Sequence, residues 1–198
     1  MVTHAQVTRD PEAPQVCLAF LDLAEPARRE VMALLDRRRG SGWPVRWVPD
    51  EGLHLTLKFF GEVAPERLDV IEEAVRFAAQ GTGPLDLRLD ELGAFPSTVR
   101  PRVLWIGIDA PPALELLYDR LERGGEAIGF PPEGSPFRPH VTLGRVREGH
   151  RLPSDGLDGY AGSYERSPFV ARRLVLYESL LTTQGPRYES RLALELTA

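Results

Sequence analysis

Short runs of alternating or continuous apolar residues follow one another along most of this 198-residue chain, and longer amphipathic stretches separate them. Val16 to Leu23 (VCLAFLDL) is apolar and bounded by charge, which predicts a buried strand. Glu25-Pro26 then opens a helix with Ala27, Val31, Leu34 and Leu35 on one face and Gly40 as its stop. A turn over Gly42 to Pro44 leads into a short strand at Val45 to Val48. A second turn, Pro49 to Gly52, precedes a strand from Leu53 to Phe60. Pro65 opens a second helix whose core face carries Leu68, Ile71, Val75, Ala78 and Ala79.

The order then partly repeats. Leu85 to Leu92 alternates as a strand, Phe95 to Pro101 (FPSTVRP) reads as a loop, and Arg102 to Ile108 is strand again. Pro111-Pro112 starts a third helix with Leu114, Leu117 and Leu121 on one face. A loop over Gly129 and Pro131 to Pro136 enters a strand from Arg138 to Val146. Gly149 to Tyr160 is a glycine-rich excursion without a period. Strands near Val170 to Tyr177 and Tyr188 to Leu196 close the chain, joined by a turn at Gln184-Gly185-Pro186.

This is an α+β order rather than strict βαβ alternation. It predicts two related lobes, each with a mainly antiparallel sheet and outer helices, around a central cleft. Residues 1–15 are expected to be a flexible polar leader, and residues 16–198 a single bilobal domain.

Composition narrows the chemistry. The chain is 42% hydrophobic and 27% charged, and no apolar run approaches the ~20 residues that span a bilayer. The leader has no apolar middle section of the secretory kind, so a cytoplasmic protein away from membranes is expected. Cys17 stands alone, which excludes an internal disulfide and a cysteine metal cage. A net charge of −5 argues against a protein that coats long nucleic acid, but it leaves room for a basic cleft holding one phosphate. Arg46, Lys58, Arg100, Arg102, Arg138 and Arg145 are the candidate charges for such a cleft. No long apolar stripe is left over, so a monomer is expected.

The chain has four histidines, and two of them stand in the same local pattern, His54-Leu55-Thr56 and His140-Val141-Thr142. Strand side chains alternate faces, so His54, Thr56 and Lys58 should share one face, with Leu55, Leu57 and Phe59 on the other. Each strand then buries aliphatic groups behind and presents an imidazole beside a hydroxyl in front. In-line displacement at phosphorus sets the attacking and leaving oxygens on opposite sides. One imidazole can take a proton from water while the other protonates the departing oxygen, because an imidazole pKa of ~6.5 suits both roles. The threonine hydroxyls can donate to the non-bridging oxygens, where charge accumulates. His4, in the leader, and His150, in a polar loop, are read as inert.

These motifs and their flanks resemble the two-histidine phosphoesterase superfamily, and within it the RNA 2′,3′-cyclic phosphodiesterases historically called 2′–5′ RNA ligases. The similar blocks are Arg46 to Val63 (RWVPDEGLHLTLKFFGEV), Ala94 to Ile108, Phe137 to Val146 (FRPHVTLGRV) and Leu176 to Glu189. The resemblance implies hydrolysis of an RNA 2′,3′-cyclic phosphate to a 2′-phosphomonoester without a metal or other cofactor. It implies His54 as proton donor to the leaving 3′ oxygen, His140 as proton acceptor from water, and Thr56 and Thr142 as phosphate-binding hydroxyls. tRNA fragments, other cleaved RNAs and small cyclic nucleotides all stay open as substrates. Reversible 2′–5′ ligation and a non-catalytic nucleotide-binding module are the alternative functions.

Several neighbours carry two readings. Lys58 either attracts the RNA phosphate or is a solvated rim charge. Arg138 either contacts substrate or forms a structural ion pair. Arg145 matches a family arginine, yet strict alternation puts it opposite His140 and Thr142, so either a bulge turns it or it supports the sheet. Phe20, Trp47, Phe137 and Tyr177 either stack a terminal base or pack the core.

Overall fold

The structure, a computed structural model, describes residues 15–152, 165–182 and 185–198. Apart from Gln15, the expected leader lies outside these residues, as do residues 153–160 of the glycine-rich excursion and Gln184 of the last turn.

Among the described residues, nine strands and three α-helices follow in the order β1 (Gln15–Asp22), α1 (Ala27–Arg39), β2 (Val45–Trp47), β3 (His54–Val63), α2 (Leu68–Ala79), β4 (Leu85–Phe95), β5 (Val103–Asp109), α3 (Pro112–Ala127), β6 (His140–Val146), β7 (Pro168–Ala171), β8 (Arg173–Thr182) and β9 (Gly185–Glu195). The element types match the sequence pattern, with shifted ends. The segment expected as one strand at Val170 to Tyr177 is divided between β7 and β8 at Arg172. β7 pairs with β4 and β8 with β1, so the division sends consecutive strands to opposite ends of the molecule.

The strands run β7-β4-β5-β6-β3-β1-β8-β9, with β2 laid beside β6. Each recorded strand pair is antiparallel. A half of five strands (β2, β4, β5, β6 and β7) and a half of four (β1, β3, β8 and β9) meet at β6 and β3, where a single recorded residue pair, Leu55↔Val141, joins them. The two expected sheets are therefore two halves of one nine-stranded sheet, joined narrowly where the histidine strands meet. The histidine strands are the two innermost, one from each half.

Helices cover the backs of the halves. α3 packs on β3, and α2 lies against α3, β8 and β9. α1 is tied to the other half, since the Glu30 carboxylate accepts the backbone N–H groups of Arg166 (3.0 Å) and Ser167 (2.9 Å), just before β7. α1, which follows β1, and α3, which follows β5, thus each cross to the half opposite their preceding strand. Val31, Leu34, Ile71, Val75, Leu114 and Leu117 face inward from the three helices. They join Leu55, Leu57, Leu104, Ile106, Val141 and Leu143 from the sheet in one buried core. No helix among the described residues is long and apolar enough to cross a membrane.

Candidate active site

The bridge pair Leu55↔Val141 sends its own side chains to the core, so the flanking His54, Thr56, His140 and Thr142 face the cleft. Antiparallel register carries Thr56 toward His140 and His54 toward Thr142. The register therefore sets each histidine opposite the threonine of the other motif across the join.

Matching β-bulges follow both motifs. On β3, Phe20 pairs with Thr56 while the adjacent Ala19 pairs with Lys58, so Leu57 is the extra residue. On β6, Trp105 pairs with Thr142 while Leu104 pairs with Gly144, so Leu143 is extra. Each bulge reverses the alternation beyond it. This corrects the expected face of Lys58: its side chain is 1% exposed and turned to the helix side, 3.0 Å from Glu122 Oε1 of α3. Lys58 is neither a rim charge nor a cleft charge. Phe59, expected behind the site, lies instead on the cleft face and is 51% exposed. The same count turns Arg145 to the side of His140 and Thr142, which decides between its two readings. Arg145 is exposed, and its charge acts on the His140 imidazole.

Aromatic rings back each imidazole. His54 stacks on Phe20 of β1 at 4.4 Å and 28°, and Phe20 in turn meets Tyr177 of β8 at 4.6 Å. Phe20 is buried, so it supports a histidine and is not free to stack a base. His140 meets Phe95 of β4 edge-on at 5.1 Å and Trp105 of β5 at 5.9 Å. A Cβ on Gly93 would lie 2.3 Å from the Trp105 ring, so a bare backbone there lets the indole lie flat over β4. Sequence reasoning missed Trp105 and assigned Phe95 to a turn. Strand alternation does carry the signal, because Trp105 interrupts the inward series Leu104, Ile106, Ile108 on the opposite face.

The environments of the two imidazoles differ. Burial pushes His54 down to about 4, against a smaller opposing pull from Asp22, its cross-strand partner. Asp22 is itself held by Arg173 at 2.8 Å. Burial also lowers His140; a hydrogen bond to the Arg138 carbonyl opposes this, and the charge of Arg145 adds to it. His140 Nδ1 lies 2.7 Å from that carbonyl oxygen. A carbonyl only accepts, so Nδ1 carries the proton and the neutral ring keeps its lone pair on Nε2.

A pocket of about 440 Å³ opens beside this group, lined by Thr56, Phe59, Phe95, Phe137, Arg138 and His140 among others. Phe137 stacks on Tyr118 of α3 at 4.0 Å and 12°. Arg138 is exposed at the pocket wall. Trp47 packs 6.2 Å from Trp43, outside this wall. Arg46 is the cross-strand partner of Arg145, and Arg100 and Arg102 are exposed in the segment between β4 and β5. His150 bonds its own loop at the Glu148 carbonyl. A larger hollow of about 800 Å³ lies around Asp22, Arg28, Asp86 and Arg172, but its lining has no imidazole or hydroxyl. Among the described residues no cluster of three or more His, Cys, Asp and Glu has the arrangement of a metal site.

The family described as LigT like Phosphoesterase matches the chain twice, over residues 21–105 and 106–188, with one His-x-Thr in each match. An RNA 2′,3′-cyclic phosphodiesterase of Aeropyrum pernix is 36% identical over 159 residues, covering 79% of this chain and 89% of that one. The crystal structure of TT0787 of Thermus thermophilus superposes with a TM-score of 0.76 at 26% identity, covering 92% of this chain and 98% of the other. Escherichia coli LigT complexed with 3′-AMP superposes at 0.69 and 26% identity, covering 93% and 99%.

Proposed function

This chain belongs to the LigT-like phosphoesterase family, and on that premise we propose that it hydrolyses RNA 2′,3′-cyclic phosphate ends to 2′-phosphomonoesters by acid–base catalysis between its two motifs. The single observation that carries the mechanism is the crossed arrangement of His54, Thr56, His140 and Thr142 about the Leu55↔Val141 join. A phosphate held there meets an imidazole from each half and a hydroxyl from each half.

The roles of the two rings are unequal. His140 has Nδ1 engaged by the Arg138 carbonyl, which leaves Nε2 as the acceptor and suits it to take the proton of an attacking water. The water oxygen forms the new bond to phosphorus, the bond from phosphorus to the 3′ oxygen breaks, and His54 supplies the proton to that oxygen. Thr56 and Thr142 donate to the non-bridging oxygens, and Arg145 supplies positive charge on the same face. His54 must be protonated to act as the acid, yet burial holds it near 4 in the protein alone. An incoming phosphate anion offsets that burial, since an opposite charge close by favours the imidazolium. No step is assigned to a metal.

An RNA end is favoured as substrate because the curated relative from Aeropyrum pernix is an RNA 2′,3′-cyclic phosphodiesterase, and because LigT of Escherichia coli holds 3′-AMP. The test is incubation with an oligoribonucleotide ending in a 2′,3′-cyclic phosphate, with EDTA present. The expected product carries a 2′-phosphate, and its formation stops in His54→Ala and in His140→Ala. Turnover lost in EDTA, or retained in either variant, sinks the mechanism.

A further inference from the structure

Lys58 and Glu122 form a charged pair inside the core, and the hydrolytic mechanism above gives neither of them a task. The Lys58 side chain is 1% exposed and that of Glu122 11% exposed. Burying two charges is costly, and apolar residues of similar volume often serve stability as well or better. The hydrogen bonds of the pair show what else it holds. Lys58 Nζ donates to Glu122 Oε2 at 3.1 Å and to the Pro131 carbonyl at 2.8 Å. Glu122 Oε2 accepts the Glu133 N–H at 2.7 Å. One partner thus grips a carbonyl and the other an N–H, two residues apart, in the segment between α3 and β6.

That segment forms a wall of the pocket. Between residues 130 and 139 it has no regular secondary structure. Pro131, Pro132, Pro136 and Pro139 restrict its backbone but offer no N–H for anchoring. Its far end carries Phe137, stacked on Tyr118 one turn before Glu122 on α3, and Arg138, whose carbonyl engages His140 Nδ1. Lys58 sits on the same strand as His54 and Thr56, two residues past Thr56. A chain of contacts therefore runs from the first motif through Lys58, Glu122 and the 131–138 wall to the second histidine.

We propose that Lys58 and Glu122 are positioning residues that fix the 131–138 wall against the first motif strand, and so hold His140 in its Nδ1–H form beside the phosphate. The proposal rests on the hydrolase reading for its kinetic consequence, but not for its structural one.

The test is the double variant Lys58→Met/Glu122→Leu, which removes both charges together and leaves none buried alone. Three quantities are compared with the wild type: melting temperature, kcat/KM on the cyclic-phosphate oligonucleotide, and the ring-nitrogen NMR signals of His140 and His54 without substrate. The expected result is a folded protein with kcat/KM down by about 10²-fold, the scale of a small misplacement at a reacting centre. His140 should pass to a mixture of tautomers while His54 keeps its signals. A folded double variant with wild-type kcat/KM and wild-type His140 signals overturns the proposal. If the double variant does not fold, Glu122→Gln decides. It keeps an acceptor for Lys58 and for the Glu133 N–H, so the expected change is smaller but in the same direction, and unchanged His140 signals overturn the proposal. If the wild type leaves the cyclic phosphate intact, the hydrolase reading fails, and the nitrogen spectra still decide the positioning claim.

Discussion

The β3 half and the β6 half build the same device with different endings. In the first, His54 and Thr56 are followed by a bulge at Leu57, a buried Lys58 and an exposed Phe59. In the second, His140 and Thr142 are followed by a bulge at Leu143, then Gly144 and an exposed Arg145. The bulge does the same work twice, turning the second residue after it into the cleft. What it turns inward differs, and so each half leaves one end of the cleft with its own character. The Phe59 end is aromatic and leads into the pocket; the Arg145 end is basic, with Arg46 across the strand.

The behind-the-sheet partners of these residues differ for a packing reason. A Cβ on Gly144 would lie 2.6 Å from Val45 Cγ1 and 2.9 Å from the Trp47 ring, because the side chains of the neighbouring β2 occupy that space. Lys58 reaches α3 instead. One half is filled there by β2 side chains against bare backbone, the other by a helix through an ion pair.

The comparison breaks most sharply at the imidazoles. His140→Ala and His54→Ala should each lower kcat by roughly 10²–10⁴-fold, the range of a lost general acid or base. If their roles differ, the two variants lose opposite limbs of the pH–rate profile. Identical residual profiles would show that the halves are chemically equivalent. Next come the hydroxyls. Thr56→Val and Thr142→Val should each cost about 10²-fold in kcat, as for a lost donor to a charged oxygen. Steady-state kinetics that show an effect only in KM would remove the hydroxyls from the transition state.

Arg145→Gln and Phe59→Leu test the two ends of the cleft. The arginine change should cost about tenfold or more in kcat/KM on an oligonucleotide and flatten its salt dependence. Phe59→Leu should leave the salt dependence as it is. Equal salt slopes in both variants would erase the distinction between a basic and an aromatic end. Gly144→Ala probes the packing difference directly: thermal unfolding should show a loss of about 1–3 kcal/mol, as for an overpacked core.

The smallest expected effect concerns pH. The unfolded His54 imidazole titrates near ~6.5, and the folded one near about 4. Between those values the unfolded chain binds a proton that the folded chain refuses, so stability falls as pH drops through the window. In His54→Asn the melting temperature should depend less on pH over that interval, and an equal slope would contradict the burial of a neutral ring. The same ring should titrate higher with inorganic phosphate bound, and phosphate should bind more tightly as pH falls. An NMR titration of His54 with and without phosphate reads both.

How far the sequence alone carries can be seen at single residues. Period-two alternation is local, so it sufficed to put His54 beside Thr56 and His140 beside Thr142, each with aliphatic residues behind. Helical periodicity likewise marked Val31, Ile71, Val75, Leu114 and Leu117 as inward-facing, because one apolar stripe must find a core wherever the helix is placed. Both motifs were legible for that reason. Lys58, Phe59 and Arg145 were not, since a bulge is a mismatch in count between neighbouring strands, and no single strand records its neighbour's register. The crossed placement of each histidine against the other motif's threonine and the stacking of His54 on Phe20 depend on which strands lie together. Those contacts join positions distant along the chain, and only the folded sheet brings them within reach.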